Sequence, residues 1–150
     1  MINITNEDIL ECLQEAKQES NLRSRILMHD TTDNPIQEML IVLDHDSYVM
    51  PHSQSNRIKS YIVISGKMRF ISFDDVGNIT ETCTLSDKAS DSRIIRFDSS
   101  SWHTVVAISD NVIYVEIAAG PYHGSTWAPW APNGNVKEKY LAYMAELRSF

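Results

Sequence analysis

Between residues 38 and 117 the chain runs through short blocks in which apolar and polar positions alternate. Glu38–Leu43, Tyr48–Met50, Tyr61–Ser65, Lys67–Phe73, Ile79–Leu85, Arg93–Phe97, His103–Ile108 and Val112–Ile117 are rich in β-branched and aromatic residues. An alternation of period two sends successive side chains to opposite faces of a sheet. Polar turn segments separate the blocks: Asp44-His45-Asp46, Ser65-Gly66-Lys67, Asp74 to Asn78, Ser86 to Ser92 and Ser109-Asp110-Asn111. Strands at this regular spacing predict an all-β antiparallel sandwich or barrel. The stretch from Ser86 to Ser92 is read as its most mobile loop.

At both ends the period changes. Ile9, Leu10, Leu13 and Ala16 recur at helical spacing and predict a helix over 5–19, with Thr5 and Asp8 as a capping pair. Val136, Tyr140, Met144 and Leu147 predict a second helix over 136–148, with Asn133-Gly134-Asn135 as its turn and N-cap. The layout expected is a single domain over 1–150, with a barrel at about 24–118 and a Trp- and Pro-rich connection at 119–135. Both helices should lie against the outside of the barrel. In Trp127-Ala128-Pro129-Trp130-Ala131-Pro132 both indoles are read as packing groups that clamp the second helix to the barrel.

Charge narrows the partners. A net charge of −7 argues against nucleic acid, whose phosphates need a basic face, and against an anionic membrane surface. No apolar run approaches the roughly 20 residues that span a bilayer. The start of the chain has neither the basic nor the apolar region of a signal peptide, so a cytoplasmic location is expected. Cys12 and Cys83 are isolated and read as free thiols.

The candidate chemistry is Pro51-His52-Ser53-Gln54, Lys59 and Gly66, followed by Asp98-Ser99-Ser100-Ser101-Trp102-His103. Alternation puts His52 and Gln54 on one face, with Lys59 and Tyr61 turned to the same interior and His103 facing them from another strand. Imidazoles are ligands for transition metals, and Gln54 offers a carbonyl oxygen. Lys59 opposes that reading, because an ammonium repels a cation. It supplies the charge of about +1 that a divalent metal with one bound carboxylate would carry, and so could hold an anionic or carbonyl-bearing ligand. His29, His45 and His123 are read as surface residues.

The spacing resembles the two cupin motifs, His-x-His, four residues, Glu, six residues, Gly, and then Pro-x-Gly-x-x-His. Beyond them the chain resembles the WbuC family of cupin-fold metalloproteins, within the RmlC-like cupin superfamily. The likeness is carried by Arg25-x-x-Met28-His29, Asp33-x-Pro35-Ile36-Gln37, Tyr48-Val49-x-Pro51-His52, Phe73-Asp74-Asp75-x-Gly77, Trp102-His103-Thr104-Val105-Val106, Gly120-Pro121-Tyr122 and the Trp127–Pro132 hexapeptide. The resemblance implies a cupin (jelly-roll) barrel and a divalent transition metal (Zn, Fe, Ni or Mn) held by His52 and His103, with Gln54 as a weaker third ligand and Lys59 opposing it. It also implies a small-molecule ligand, a carbohydrate or anionic metabolite, in the setting of O-antigen or other surface polysaccharides, and a homodimer by analogy with other cupins. Gln54 and Lys59 stand where that pattern has His and Glu, Asp98 and Ser100 where it has Pro and Gly, and Ala107 where many cupins have Asn.

Competing functions follow. One is an enzyme on a nucleotide-linked sugar, an isomerase or epimerase, with His103 or His52 as general acid/base near neutral pH and Tyr61 and Lys59 polarising a carbonyl. The alternative is a non-catalytic sugar- or metabolite-binding module with a degraded metal site. A metal-dependent oxygenase is the weaker third, since two His and a Gln hold iron poorly.

Overall fold

The computed structural model describes residues 1–55 and 57–150. The alternating blocks form strands in two antiparallel five-stranded sheets, the layers of a jelly-roll barrel. In chain order the strands are β1 (Arg23–Leu27), β2 (Ile36–Asp44), β3 (His52–Ser53), β4 (Ile58–Ser65), β5 (Lys67–Phe73), β6 (Ile79–Ser86), β7 (Ile94–Asp98), β8 (Trp102–Ala107), β9 (Asn111–Ala119) and β10 (Thr126–Trp127). One sheet has the order β1-β2-β9-β4-β7, the other β10-β3-β8-β5-β6.

Inward-facing side chains from both sheets make the core. Leu43, Tyr61, Val63, Met68, Phe70, Leu85, Val105, Ala107, Val112 and Tyr114 pack into one cluster in the barrel interior. Each large apolar side chain buried there is worth about 1.5–3 kcal/mol. Gly66 turns β4 into β5 at φ +87°, and a Cβ there would lie 2.4 Å from the Asn111 carbonyl oxygen, so only glycine fits.

Helix α1 (Asn6–Gln18) carries the expected capping box between Thr5 and Asp8. Its Cys12 and Ala16 pack with Ile9 and Leu13 on Leu40, Val42 and Ile113, the outer side of the first sheet. Helix α2 (Lys137–Ser149) seats Met144 and Leu147 on Ile71, Phe73 and Val106, the outer side of the second. Its N-cap is Val136, without a side-chain cap; Asn133 Oδ1 instead accepts from the Asn135 amide at 2.9 Å.

Tyr48–Met50 pairs with no strand. Its Val49 carbonyl accepts from the Thr104 hydroxyl, and Tyr48 stacks on Tyr140 with ring centroids 5.0 Å apart. β1 and β10 lie outside the blocks read from the sequence. No helix among the described residues is long and apolar enough to cross a membrane.

Candidate functional site

Beside the core, polar inward positions join Leu43, Tyr61, Val105 and Tyr114 around a cavity of about 660 Å³. His52, Gln54, Lys59, Tyr61 and His103 all line it. The first wall is set by register. His52 on β3 pairs directly with His103 on β8, and their ring centroids are 4.5 Å apart, tilted by 52°. Each imidazole is oriented by its own backbone: Nδ1 of His52 lies 3.0 Å from the Met50 carbonyl, and Nδ1 of His103 lies 2.8 Å from that of Ser101. A carbonyl only accepts, so Nδ1 carries the proton in both rings and Nε2 is left with its lone pair. His103 Nε2 is buried with no hydrogen-bond partner.

Burial, reinforced by the Lys59 charge, lowers His52 from its ordinary 6.5 to about 4. Burial, with His52 beside it, lowers His103 to about 3. Burial thus favours the neutral form of both rings at neutral pH.

The opposite wall holds a residue that the motif reading missed. Glu116, on β9, faces inward, and its Oε1 lies 3.0 Å from Lys59 Nζ. Lys59 is 2% exposed and Glu116 8%, so this is a buried ion pair, and the Lys59 charge is compensated. Tyr61 is buried between Phe97 and Tyr114 at centroid distances of 5.0 and 5.3 Å. Burial and the Glu116 carboxylate push its phenol well above the usual value, so it acts only as a neutral hydroxyl.

A divalent metal does not fit this donor set. Two of the four motif positions offer bare imidazole nitrogens, but the third, Gln54, gives its amide oxygen to Arg57 Nη1 at 3.3 Å. The fourth brings an ammonium. Among the described residues no group of three His, Cys, Asp or Glu is placed to hold a metal.

Further cations complete the cavity. Arg23 and Arg25 alternate on β1 so that both line it from the first sheet. Arg57, 5% exposed, donates from Nε to the Ala119 carbonyl at 2.8 Å and from Nη2 to Gln37 Oε1 at 3.1 Å, and its guanidinium lies 5.0 Å from the Tyr122 ring centroid. None of these arginines has a carboxylate partner among the described residues. His29 is half-buried on the cavity, not on the surface; His45 is half-buried and His123 exposed.

The two indoles of the hexapeptide part company. Trp130 packs on Phe73 at 5.0 Å and Trp102 at 6.4 Å, in the cluster beneath α2, as a clamp should. Trp127 is 53% exposed and stands at the cavity mouth, its ring 5.5 Å from that of His52.

The model of a family described as a domain of unknown function (DUF6016) matches residues 4–85. No curated protein matches the chain. Among solved structures, an HTH_3 family transcriptional regulator from Vibrio cholerae is similar at 21% identity and TM-score 0.53, over 77% of this chain and 61% of the regulator. The S161A mutant of Bacillus subtilis oxalate decarboxylase OxdC is similar at 18% identity and TM-score 0.55, over 70% of this chain and 28% of the enzyme. KdgF from Halomonas sp. is similar at 15% identity and TM-score 0.52, over 67% of this chain and 82% of that protein. The chain thus spans less than two thirds of the first two. The decarboxylase and KdgF carry the cupin fold, and the two antiparallel sheets with their outer helices are a cupin jelly roll.

Proposed function

The chain belongs to the DUF6016 family, and from that premise we propose that its barrel binds a small anionic metabolite of carbohydrate type. One observation carries this reading: Arg23, Arg25 and Arg57 line a single cavity and, among the described residues, none of them forms an ion pair with a carboxylate, in a chain of net charge −7. The Lys59–Glu116 pair cancels itself and both imidazoles are neutral, so three guanidiniums stand against one remaining lining carboxylate, Glu19, and leave the cavity positive. The resemblance to the WbuC family supports a setting in surface-polysaccharide or nucleotide-sugar metabolism. Metal-assisted chemistry, which the resemblance also implies, is left out because the donor set disagrees with it.

Titration calorimetry with anionic and neutral sugars tests the reading. Anionic sugars should bind more tightly, the difference should shrink with added salt, and Arg23→Gln with Arg25→Gln should reduce it by lowering the positive charge around the cavity. Equal affinity for charged and neutral sugars, unchanged in those variants, would overturn it.

A second reading, isomerase- or epimerase-type proton transfer, is favoured by Glu116. A carboxylate, an ammonium and a phenol hydroxyl share one wall, so Lys59 can polarise a carbonyl while Glu116 takes a neighbouring proton. Solvent deuterium entering a bound sugar, followed by NMR and lost in Glu116→Gln, would support it; no exchange would reject it.

A further inference from the structure

We propose that the ligand is a pyranose bearing a carboxylate or phosphate group, with its apolar ring face laid on Trp127 and its anion drawn toward Arg57. This rests on the reading of the barrel as an anion-binding cavity and specifies what carries the anion.

Trp127 is exposed yet held in place. Its backbone pairs with His52 in the β10–β3 ladder, the next residue's amide donates to the Pro51 carbonyl at 2.9 Å, and that residue, Ala128, is fully buried. The backbone beneath the indole is therefore fixed, and the ring, 5.5 Å from that of His52, presents an apolar face at the mouth.

From the mouth inward a chain of polar groups leads to the guanidinium. Tyr122 Oη and Ser125 Oγ are 3.1 Å apart, and Gln54 Nε2 donates to Ser125 Oγ at 2.8 Å. Gln54 Oε1 accepts from Arg57, whose guanidinium lies over the Tyr122 ring. A guanidinium has five N–H donors. The three hydrogen bonds of the Arg57 side chain all go to neutral acceptors, so donors remain, and the Glu116 carboxylate acts on its charge without forming an ion pair.

Three ligand features are thus called for together: a flat apolar face, hydroxyls that can exchange hydrogen bonds with an amide and two hydroxyl side chains, and an anion. An inorganic anion uses only the guanidiniums, and a neutral sugar only the rim. A ring sugar with one acidic substituent uses all of them.

The test is titration calorimetry of the whole chain with glucuronate, glucose 6-phosphate, glucose, acetate and inorganic phosphate, in wild type, Trp127→Ala and Trp127→Phe. Glucuronate or glucose 6-phosphate should bind at least about tenfold more tightly than the other three, and which of them does so tells carboxylate from phosphate. Trp127→Ala should weaken that ligand about tenfold and leave acetate and phosphate unchanged, while Trp127→Phe restores most of the loss. If acetate or phosphate matches the charged sugars and Trp127→Ala changes nothing, the stacked sugar is wrong although the anion reading stands. If glucose binds wild type as tightly as the charged sugars do, the anion reading itself has failed. Binding of neither charged sugar overturns the proposal.

Discussion

Lys59 Nζ lies 3.0 Å from Glu116 Oε1 inside the barrel, with their side chains 3% and 11% exposed. Two charges taken this far out of water depend on each other. Glu116→Gln or Glu116→Ala leaves an ammonium without its counter-charge, and such a break costs about 3–5 kcal/mol. Lys59→Met with Glu116→Leu removes both charges and should cost much less. Urea unfolding of Lys59→Met, Glu116→Leu and the double variant gives the coupling energy directly. A Glu116→Gln loss under about 1 kcal/mol would mean that water reaches the pair.

The same ammonium sets the response to metal. Wild-type protein titrated with Zn(II) should bind weakly. Lys59→Glu combined with Gln54→His assembles three imidazoles and a carboxylate and should raise the affinity steeply. A unit charge at 4 Å is worth about 4 kcal/mol at an effective dielectric near 20, and here a charge is reversed. The variant should also melt higher with Zn(II) than without it, since metal bound to the folded state stabilises it. Stoichiometric metal in purified wild type, bound through His52 and His103, would refute this.

Period and turn chemistry made most of the fold legible. β5 was read with its observed limits, Lys67–Phe73, and α1 within a residue at each end, because alternation and a capping box are local signals. β1 escaped because its inward positions are Arg23 and Arg25, which invert the usual apolar-in pattern. The motif positions located His52, Lys59 and His103, but their states depend on neighbours distant in sequence. Glu116 lies in Val115-Glu116-Ile117 within an apolar strand, and only the register of β9 beside β4 brings it to Lys59. Two indoles in one hexapeptide looked alike until β10 paired Trp127 with His52 and left its ring at the mouth.

Gly77 ties the Phe73–Gly77 turn to the hexapeptide. Its φ is +93°, and a Cβ there would lie 2.8 Å from Trp130 Cδ2. Gly77→Ala therefore meets both backbone strain and a clash with a packed indole, and should cost on the order of 1–3 kcal/mol. Trp130→Leu removes the clash but also a packed indole, so Gly77→Ala should cost less in the Trp130→Leu background than in wild type. Thermal melting of both single variants and the double separates the contributions; an unchanged midpoint in Gly77→Ala would show that the turn shifts freely.

The imidazole pair predicts how stability falls with acid. Burial first, then Lys59 for His52 and His52 for His103, holds the folded values near 4 and 3, while both rings titrate near 6.5 in the unfolded chain. Below that unfolded value the unfolded state binds protons that the folded state refuses, so the folded state loses ground. The contribution is fully present above about pH 6.5 and is lost progressively toward pH 4, at up to about 1.4 kcal/mol per pH unit for each ring. Asp8, Asp74, Asp91 and Asp98, whose carboxyls are lowered by hydrogen bonds, act in a lower window, from near their ordinary 3.8 downward. Loss between about pH 6.5 and 4.5 therefore belongs to the imidazoles. Urea midpoints across that range should drop steadily in wild type. In His103→Leu, whose side chain meets Phe70 and Phe97, the drop should shrink to roughly half, since one of the two rings is gone. A wild-type midpoint that stays level to about pH 4.5 would mean that the folded rings take up protons as readily as the unfolded ones, and the cavity wall would then be cationic in acid.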